Sequence, residues 1–539
     1  MNRHRLIARG VVVALCSILL FAFIVRLYHI ESIPVGLYPD EAANGVDAIH
    51  ALETGTYKIF YPANFGREGL FINIQAFFIS IIGNTVTGLK FASILFGTLS
   101  VWGIYLLGRE LFHRKGAGLL AAFMLAGSYW AINFSRIGFR AIMTTFLLTF
   151  SFYFFFRGLR THKLRDFLFS GMIFGLGLHT YIAFRVAPLI LVLLLPALIL
   201  SYEKFLRRFW KHGLVFALGA FLTAAPMLYH FFIAHPEDFA SRSSHISILE
   251  PAVNGGDFWG TLGKTFSISL LKYNFWGDQN WRHNYPPYPV LDPFVGTFFL
   301  ASFLFLIWQT VTLLGRRFRD GDRDLRLVTN FFLLGSFFVM LIPEFLTNEG
   351  LPHALRSIGT QMPVFLMAAL SAFWLYDKAL RSQPGTKTAL FFILFFSLVL
   401  GTAFNLTKYF VFFPNSPQTS WSFNEDYRNM AHYLISLPDT TRKYLLIDEK
   451  GHNNRFDLPV HAHPVYFLTY GRVENMEIVQ EDTTVHRNSV FLMLRYNEGL
   501  SERLLTLYPG SYKEHIDWNG SDRSGGEFDV IIIPSVLEK

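Results

Sequence analysis

Two adjacent carboxylates, Asp40 and Glu41 in Tyr38-Pro39-Asp40-Glu41, are the first residues along the chain with chemistry to offer. A carboxylate can take a proton from a hydroxyl or help to hold a cation. A second charged pair, Arg67 and Glu68, stands in Phe65-Gly66-Arg67-Glu68-Gly69, directly before an apolar run. Arg136 and Arg140 share the short turn FSRIGFR, Arg185 follows His179-Thr180-Tyr181, and Arg356 follows Leu351-Pro352-His353. Guanidinium groups suit phosphate because they donate paired, charge-assisted hydrogen bonds. The segment GDQNWRHN adds Asp278, Trp281, Arg282 and His283. Aromatic rings mixed with hydrogen-bonding side chains suit a polar sugar held against an apolar surface. Each feature also has an ordinary explanation, since loop carboxylates are commonly just solvated and a lone Arg near a span end snorkels to the interface.

What must position these residues is a membrane. The chain is 52% hydrophobic and 16% charged, with 59 Phe residues, against about 25% charged for a soluble protein. Runs long enough to cross a hydrocarbon core lie at 9–29, 86–107, 117–134, 139–157, 166–183, 186–200, 212–234, 291–314, 327–346, 356–376 and 388–410. These make about eleven spans at roughly 17–25 residues per crossing. The first follows Arg3, Arg5 and Arg9 and lacks a small-residue cleavage site, so it reads as an uncleaved helix. A twelfth run, 69–83, is short. If it does not cross, every basic cluster falls on one side, from Arg109/Arg114/Lys115 to Lys378/Arg381/Lys387. Basic residues near span ends gather in the cytoplasm. The run 69–83 is therefore expected to be re-entrant or interfacial, with the N-terminus cytoplasmic and the C-terminus outside.

That topology puts the carboxylates, the four arginines and the GDQNWRHN segment on the outer side. Arginines in short outer turns run against the charge rule, and together they suggest an anion site, the natural anion there being the phosphate of a lipid carrier. Residues 1–410 are expected to form the membrane domain, with outer loops 30–85 and 235–290, and residues 411–539 a small extracytoplasmic α/β domain. Helices are expected at 424–437 and 500–507, and strands at 443–448, 465–470, 489–495 and 529–534. Net charge is +8, but it is scattered between apolar runs, so nucleic acid is excluded as a partner. Cys16 is the only cysteine, which rules out an intrachain disulfide.

Taken together, these features resemble the GT-C superfamily of integral-membrane glycosyltransferases. The likeness is to the bacterial branch related to protein O-mannosyltransferases and lipid A aminoarabinose transferases. It rests on Asp40-Glu41 in YPDEAANGVDAIHALETG, on Gly66-Arg67-Glu68-Gly69 before a membrane-dipping helix, and on FSRIGFR and GDQNWRHNYPPYP. One departure stands out, the commoner His or Lys followed by two prolines being replaced at Arg67-Glu68, and the absence of the Trp-Trp-Asp motif argues against the neighbouring oligosaccharyltransferase family.

The resemblance implies an enzyme of the cytoplasmic (inner) membrane that uses a polyprenyl-phosphate-linked sugar. The sugar passes, with inversion, to a hydroxyl on an acceptor glycan, lipid or protein at the extracytoplasmic face. It implies Asp40 as the base, with Glu41 orienting the acceptor or helping to hold a metal. Arg136, Arg140 and Arg356, then Arg67 and Arg185, are the expected phosphate ligands. Glu68, His179, Tyr181, Asp278, Trp281, Arg282, His283 and His353 are expected to contact substrate. Divalent metal use varies across the superfamily and no run here has the spacing of a metal site, so a divalent metal ion is the one cofactor to consider, with Glu68 and His283 as candidate ligands. The competing reading is a transporter or flippase of a lipid-linked substrate. Transporters commonly place charges mid-span in paired broken helices, whereas here they gather at outer span ends. A non-catalytic receptor would leave them unexplained.

Overall fold

The computed structural model describes residues 3–63, 66–240, 246–447, 458–480, 483–518 and 525–535. The apolar runs form helices. Nine of those described are long and apolar enough to cross a membrane, from Arg9–Leu27 to Pro384–Phe412. A tenth is the broken pair Lys115–Ala126 and Tyr129–Arg136, bent by 59°. The break falls at Gly127 and Ser128, where Ser128 turns to an extended backbone. A multi-pass membrane protein follows directly.

The count of long helices is one fewer than the expected crossings, and the difference lies in 166–183. A regular helix there covers only Leu164–Leu176, 13 residues, before tight 3₁₀ turns at Gly177–His179 and Ile182–Val186. At 1.5 Å per residue the regular helix covers about 20 Å of a hydrocarbon core of about 30 Å, and the two 3₁₀ turns carry the chain on to Val186. Its Gly171 and Gly175 lie against the backbone carbonyls of Phe216 and Ala220, an approach that leaves no room for a Cβ. The Gly69–Ile82 helix has 14 residues and is too short to cross by the same arithmetic.

The chain divides into two compact units, the first comprising Met1–Tyr28, Glu68–Phe71 and Ser93–Tyr409. It holds most of the membrane helices. Beyond the spans it contains the short helices Glu237–Ala240, Pro251–Asn254 and Phe258–Leu271.

The second unit comprises His29–Arg67, Ile72–Ala92 and Phe410–Lys539. The first long loop thus folds with the C-terminal segment. Its centre is a five-stranded mixed sheet built from β1 (Arg442–Leu446), β2 (Met476–Val479), β3 (Ser489–Met493), β4 (Tyr512–Ile516) and β5 (Phe528–Ile533), in the order β2-β1-β3-β5-β4. β1 pairs parallel with β2 and β3, and β5 pairs antiparallel with β3 and β4. Alternate residues serve opposite faces. Leu445, Leu492 and Val530 join a core with Ala42, Val46, Ile72, Ala76, Val465 and Phe467, whereas Tyr444, Phe491 and Ile531 pack against Leu500 and Leu504.

The expected helices appear as Glu425–Ser436 and Glu498–Leu507, and three of the four expected strands are present. The fourth, 465–470, is a correction: His463–Thr469 is a helix with proline in its first turn. Proline there is preset for helix, and a six-residue apolar run cannot by itself distinguish strand from helix.

Candidate functional site

In the second unit, Tyr38 is extended and Pro39 opens the helix Pro39–Thr54, so Asp40 and Glu41 fall in its first turn. Successive helical residues point about 100° apart, and the two carboxylates meet different surroundings. Glu41 accepts the Tyr38 N–H at 3.1 Å and lies 3.3 Å from the Lys90 ammonium, with both side chains fully buried. Asp40 is only half-buried. It sits in the first turn of a helix, where the helix dipole favours an anion.

Arg67 belongs to the same unit and is nearly buried. Its guanidinium donates to Asn44 Oδ1 at 2.8 Å and pairs with Asp47, three residues further along the same helix. That engagement staples the loop to the helix carrying Asp40.

His463, which sequence reasoning missed, is fully buried at the start of the His463–Thr469 helix. Burial, then the charge of Arg67, pushes its pKa down to about 3, against the opposing pull of Asp40. A neutral imidazole within reach of the Asp40 charge results.

In the first unit, Glu68 stands between two arginines. Arg140 Nε donates to Glu68 Oε2 at 2.7 Å, and Arg185 lies 3.6 Å from Oε1. Arg140 stacks over Tyr181 at 5.6 Å and Arg185 over Phe231 at 4.5 Å. Two cations against one carboxylate leave this cluster with a net positive charge. Arg356 donates to Thr347 Oγ1 at 2.7 Å and to the Glu349 carboxylate at 2.6 Å. A cavity of about 250 Å³ joins these elements, with Arg185 and Arg356 in its wall among Tyr181, Phe239, Ile342 and Leu346. His179 is turned elsewhere, its Nε2 2.9 Å from the Thr223 carbonyl.

Arg136 has a different setting. It is fully buried, donates to the carbonyls of Val25 and Arg26 at 2.9 Å each, and reaches the Tyr409 hydroxyl at 3.2 Å. Those carbonyls end the first span and need donors, so its guanidinium caps a helix.

Asp278, His283 and His353 come together although they are far apart in sequence. Their ligand atoms all lie within 4.8 Å of one another, and all three residues are buried. Asp278 Oδ1 accepts the Asn280 N–H at 2.8 Å, and Oδ2 accepts the Ala354 N–H at 2.6 Å. His283 stacks between Phe134 and His353, with ring centroids at 5.7 and 4.7 Å. Its Nδ1 is 3.3 Å from Asp278 Oδ2, yet neither ring nitrogen has a hydrogen-bond partner among the described residues. Buried nitrogens without partners cost free energy, and a cation would satisfy one of them. Two imidazoles and one carboxylate suit a divalent ion with a coordination position left open. Of the two candidate ligands read from sequence, His283 belongs to this cluster. Glu68 does not, because its oxygens face Arg140 and Arg185. Trp281 packs on Tyr285 at 5.0 Å, and the Arg282 carbonyl accepts from Asn133 at 2.9 Å, so both flank the cluster.

Residues 70–230 match the family described as dolichyl-phosphate-mannose-protein mannosyltransferase. ArnT from Cupriavidus metallidurans, solved bound to undecaprenyl phosphate, superposes with a TM-score of 0.53 at 12% identity, covering 98% of this chain and 99% of that one. The chain has the GT-C fold. Another protein with a GT-C-like architecture, the Archaeoglobus fulgidus oligosaccharyltransferase, gives a TM-score of 0.52 at 14% identity. That match covers 85% of this chain but only 63% of the archaeal protein. No curated protein sequence matches. The GT-C resemblance read from the sequence is thereby borne out at the level of fold, and it extends to the oligosaccharyltransferases despite the missing Trp-Trp-Asp motif.

Proposed function

We propose that the protein is a membrane glycosyltransferase that moves a monosaccharide from a polyprenyl-phosphate donor to an acceptor hydroxyl. The observation that carries this reading is the first-unit cavity, whose mostly apolar wall includes Arg185 and Arg356. An apolar chain ending in a phosphate has that same sequence of chemistries. The matched family and the undecaprenyl-phosphate-bound ArnT structure support the same donor class.

In the mechanism, Asp40 takes the proton of the acceptor hydroxyl as that oxygen attacks the anomeric carbon. The bond to the phosphate oxygen breaks on the opposite side, and the anomeric centre inverts. Arg140, Arg185 and Arg356 hold the departing phosphate, whose growing charge strengthens their hydrogen bonds. Glu68 holds Arg140 and Arg185 side by side. Glu41, paired with Lys90, fixes the helix that presents Asp40. Asp278, His283 and His353 would hold a divalent ion, which supplies positive charge for binding an anionic group. The basic clusters support a cytoplasmic N-terminus in the inner membrane, with the C-terminal unit and the reaction on the extracytoplasmic side.

Asp40→Asn tests the base. Its turnover is expected to fall about 10²–10⁴-fold, and turnover within about tenfold of wild type would remove Asp40 from that role.

A further inference from the structure

Lys272 and Glu344 form an ion pair with both side chains fully buried. Taking two charges out of water is expensive, and an apolar pair of similar volume is often as stable. Stability alone therefore does not account for the pair. The other Glu344 oxygen points to a purpose, because Oε1 accepts the backbone N–H of His353 at 3.0 Å. The next amide, Ala354 N–H, donates to Asp278 Oδ2 at 2.6 Å, and the Ala354 carbonyl accepts from Trp130 Nε1 at 3.3 Å. Two successive amides of the turn carrying His353 are thus gripped by two carboxylates. Lys272 is itself fixed, with its ammonium 3.4 Å from the Ser269 carbonyl and 4.2 Å above the Tyr273 ring. The Tyr273 hydroxyl stands 2.7 Å from Thr360 Oγ1.

We propose that Glu344, held by Lys272, is a positioning residue for a divalent-cation site at Asp278, His283 and His353, setting the backbone from which His353 reaches the ion. The proposal rests on reading those three residues as a metal site. Groups behind metal ligands commonly change affinity about 10–100-fold when removed.

The test compares two neutral versions of the pair, so that neither leaves a buried charge unmatched. Lys272→Met/Glu344→Gln keeps an amide oxygen for the His353 N–H, and Lys272→Met/Glu344→Leu does not. Purified full-length protein in detergent is stripped with chelator and titrated with Co²⁺, whose visible absorption reports both affinity and ligand geometry. Thermal melting accompanies each titration. Wild type and the Gln variant are expected to agree within about threefold, since a matched neutral pair preserves the packing. The Leu variant is expected to bind about 10–100-fold more weakly, with an altered cobalt spectrum. Equal affinity and spectrum in the Gln and Leu variants would overturn the positioning role. Wild type that takes up no cobalt, indistinguishable from Asp278→Asn, would instead remove the metal site and the proposal with it.

Discussion

Glu41 lies 3.3 Å from the ammonium of Lys90, and neither side chain reaches solvent. Asp40, one residue earlier, is half-open. The two carboxylates that look equivalent in sequence therefore meet different surroundings, which the proposed division between holding the helix and serving a substrate requires.

That division predicts opposite phenotypes. Glu41→Ala leaves Lys90 buried without its counter-charge, which should cost about 3–5 kcal/mol. Asp40→Asn should leave the melting temperature near wild type while lowering turnover. Thermal unfolding in detergent beside an activity assay separates them, and equal destabilisation by both would contradict the division.

The arginines should sort in the same way. Arg185→Ala and Arg356→Ala each remove charge-assisted hydrogen bonds worth about 1.5–3 kcal/mol, so donor affinity should fall about 10–100-fold. Lysine at either position should restore little, because a point charge cannot reproduce the planar fork. Arg136→Ala should instead lower the melting temperature and leave donor affinity in the folded protein unchanged, since its donors cap the first span. Polyprenyl-phosphate binding measured on all three variants checks this.

His463 gives a pH prediction. Its folded pKa, pushed down to about 3, lies below the unfolded value of about 6.5. Between those values the unfolded chain binds the extra proton, so stability should fall as pH drops through that window. The slope is at most about 1.4 kcal/mol per pH unit for this one group. Melting curves from pH 7 to 4 should therefore flatten in His463→Gln relative to wild type. Parallel curves would count against a buried neutral imidazole.

Much of this was legible in the residues, and the gaps have physical causes. The spans follow from apolar length, and Asp40-Glu41 from their adjacency in the first outer loop, close to the end of the first span. What separates Asp40 from Glu41 is Lys90, a partner that topology supplies and spacing cannot, although a lone Lys in an apolar run was a signal that could have been used. Glu344 at the end of an apolar run carried the same signal. His463 carried none, because its role depends on how the His463–Thr469 helix packs on Pro39–Thr54. β4 was missed because Tyr512–Ile516 is an edge strand with mostly exposed residues, which lacks the alternation that marks a half-buried strand. Asp278, His283 and His353 were each singled out in sequence, but their grouping needed the turn 351–354 to fold back.

The most direct test of the central claim uses proteoliposomes containing the purified protein, a panel of polyprenyl-phosphate sugars and envelope extract as acceptor source. Free polyprenyl phosphate is followed for wild type and Asp40→Asn. The account predicts release with one donor sugar, and loss of that release in the variant. No release with any donor, together with movement of a lipid-linked sugar between leaflets, would contradict it and make the protein a transporter.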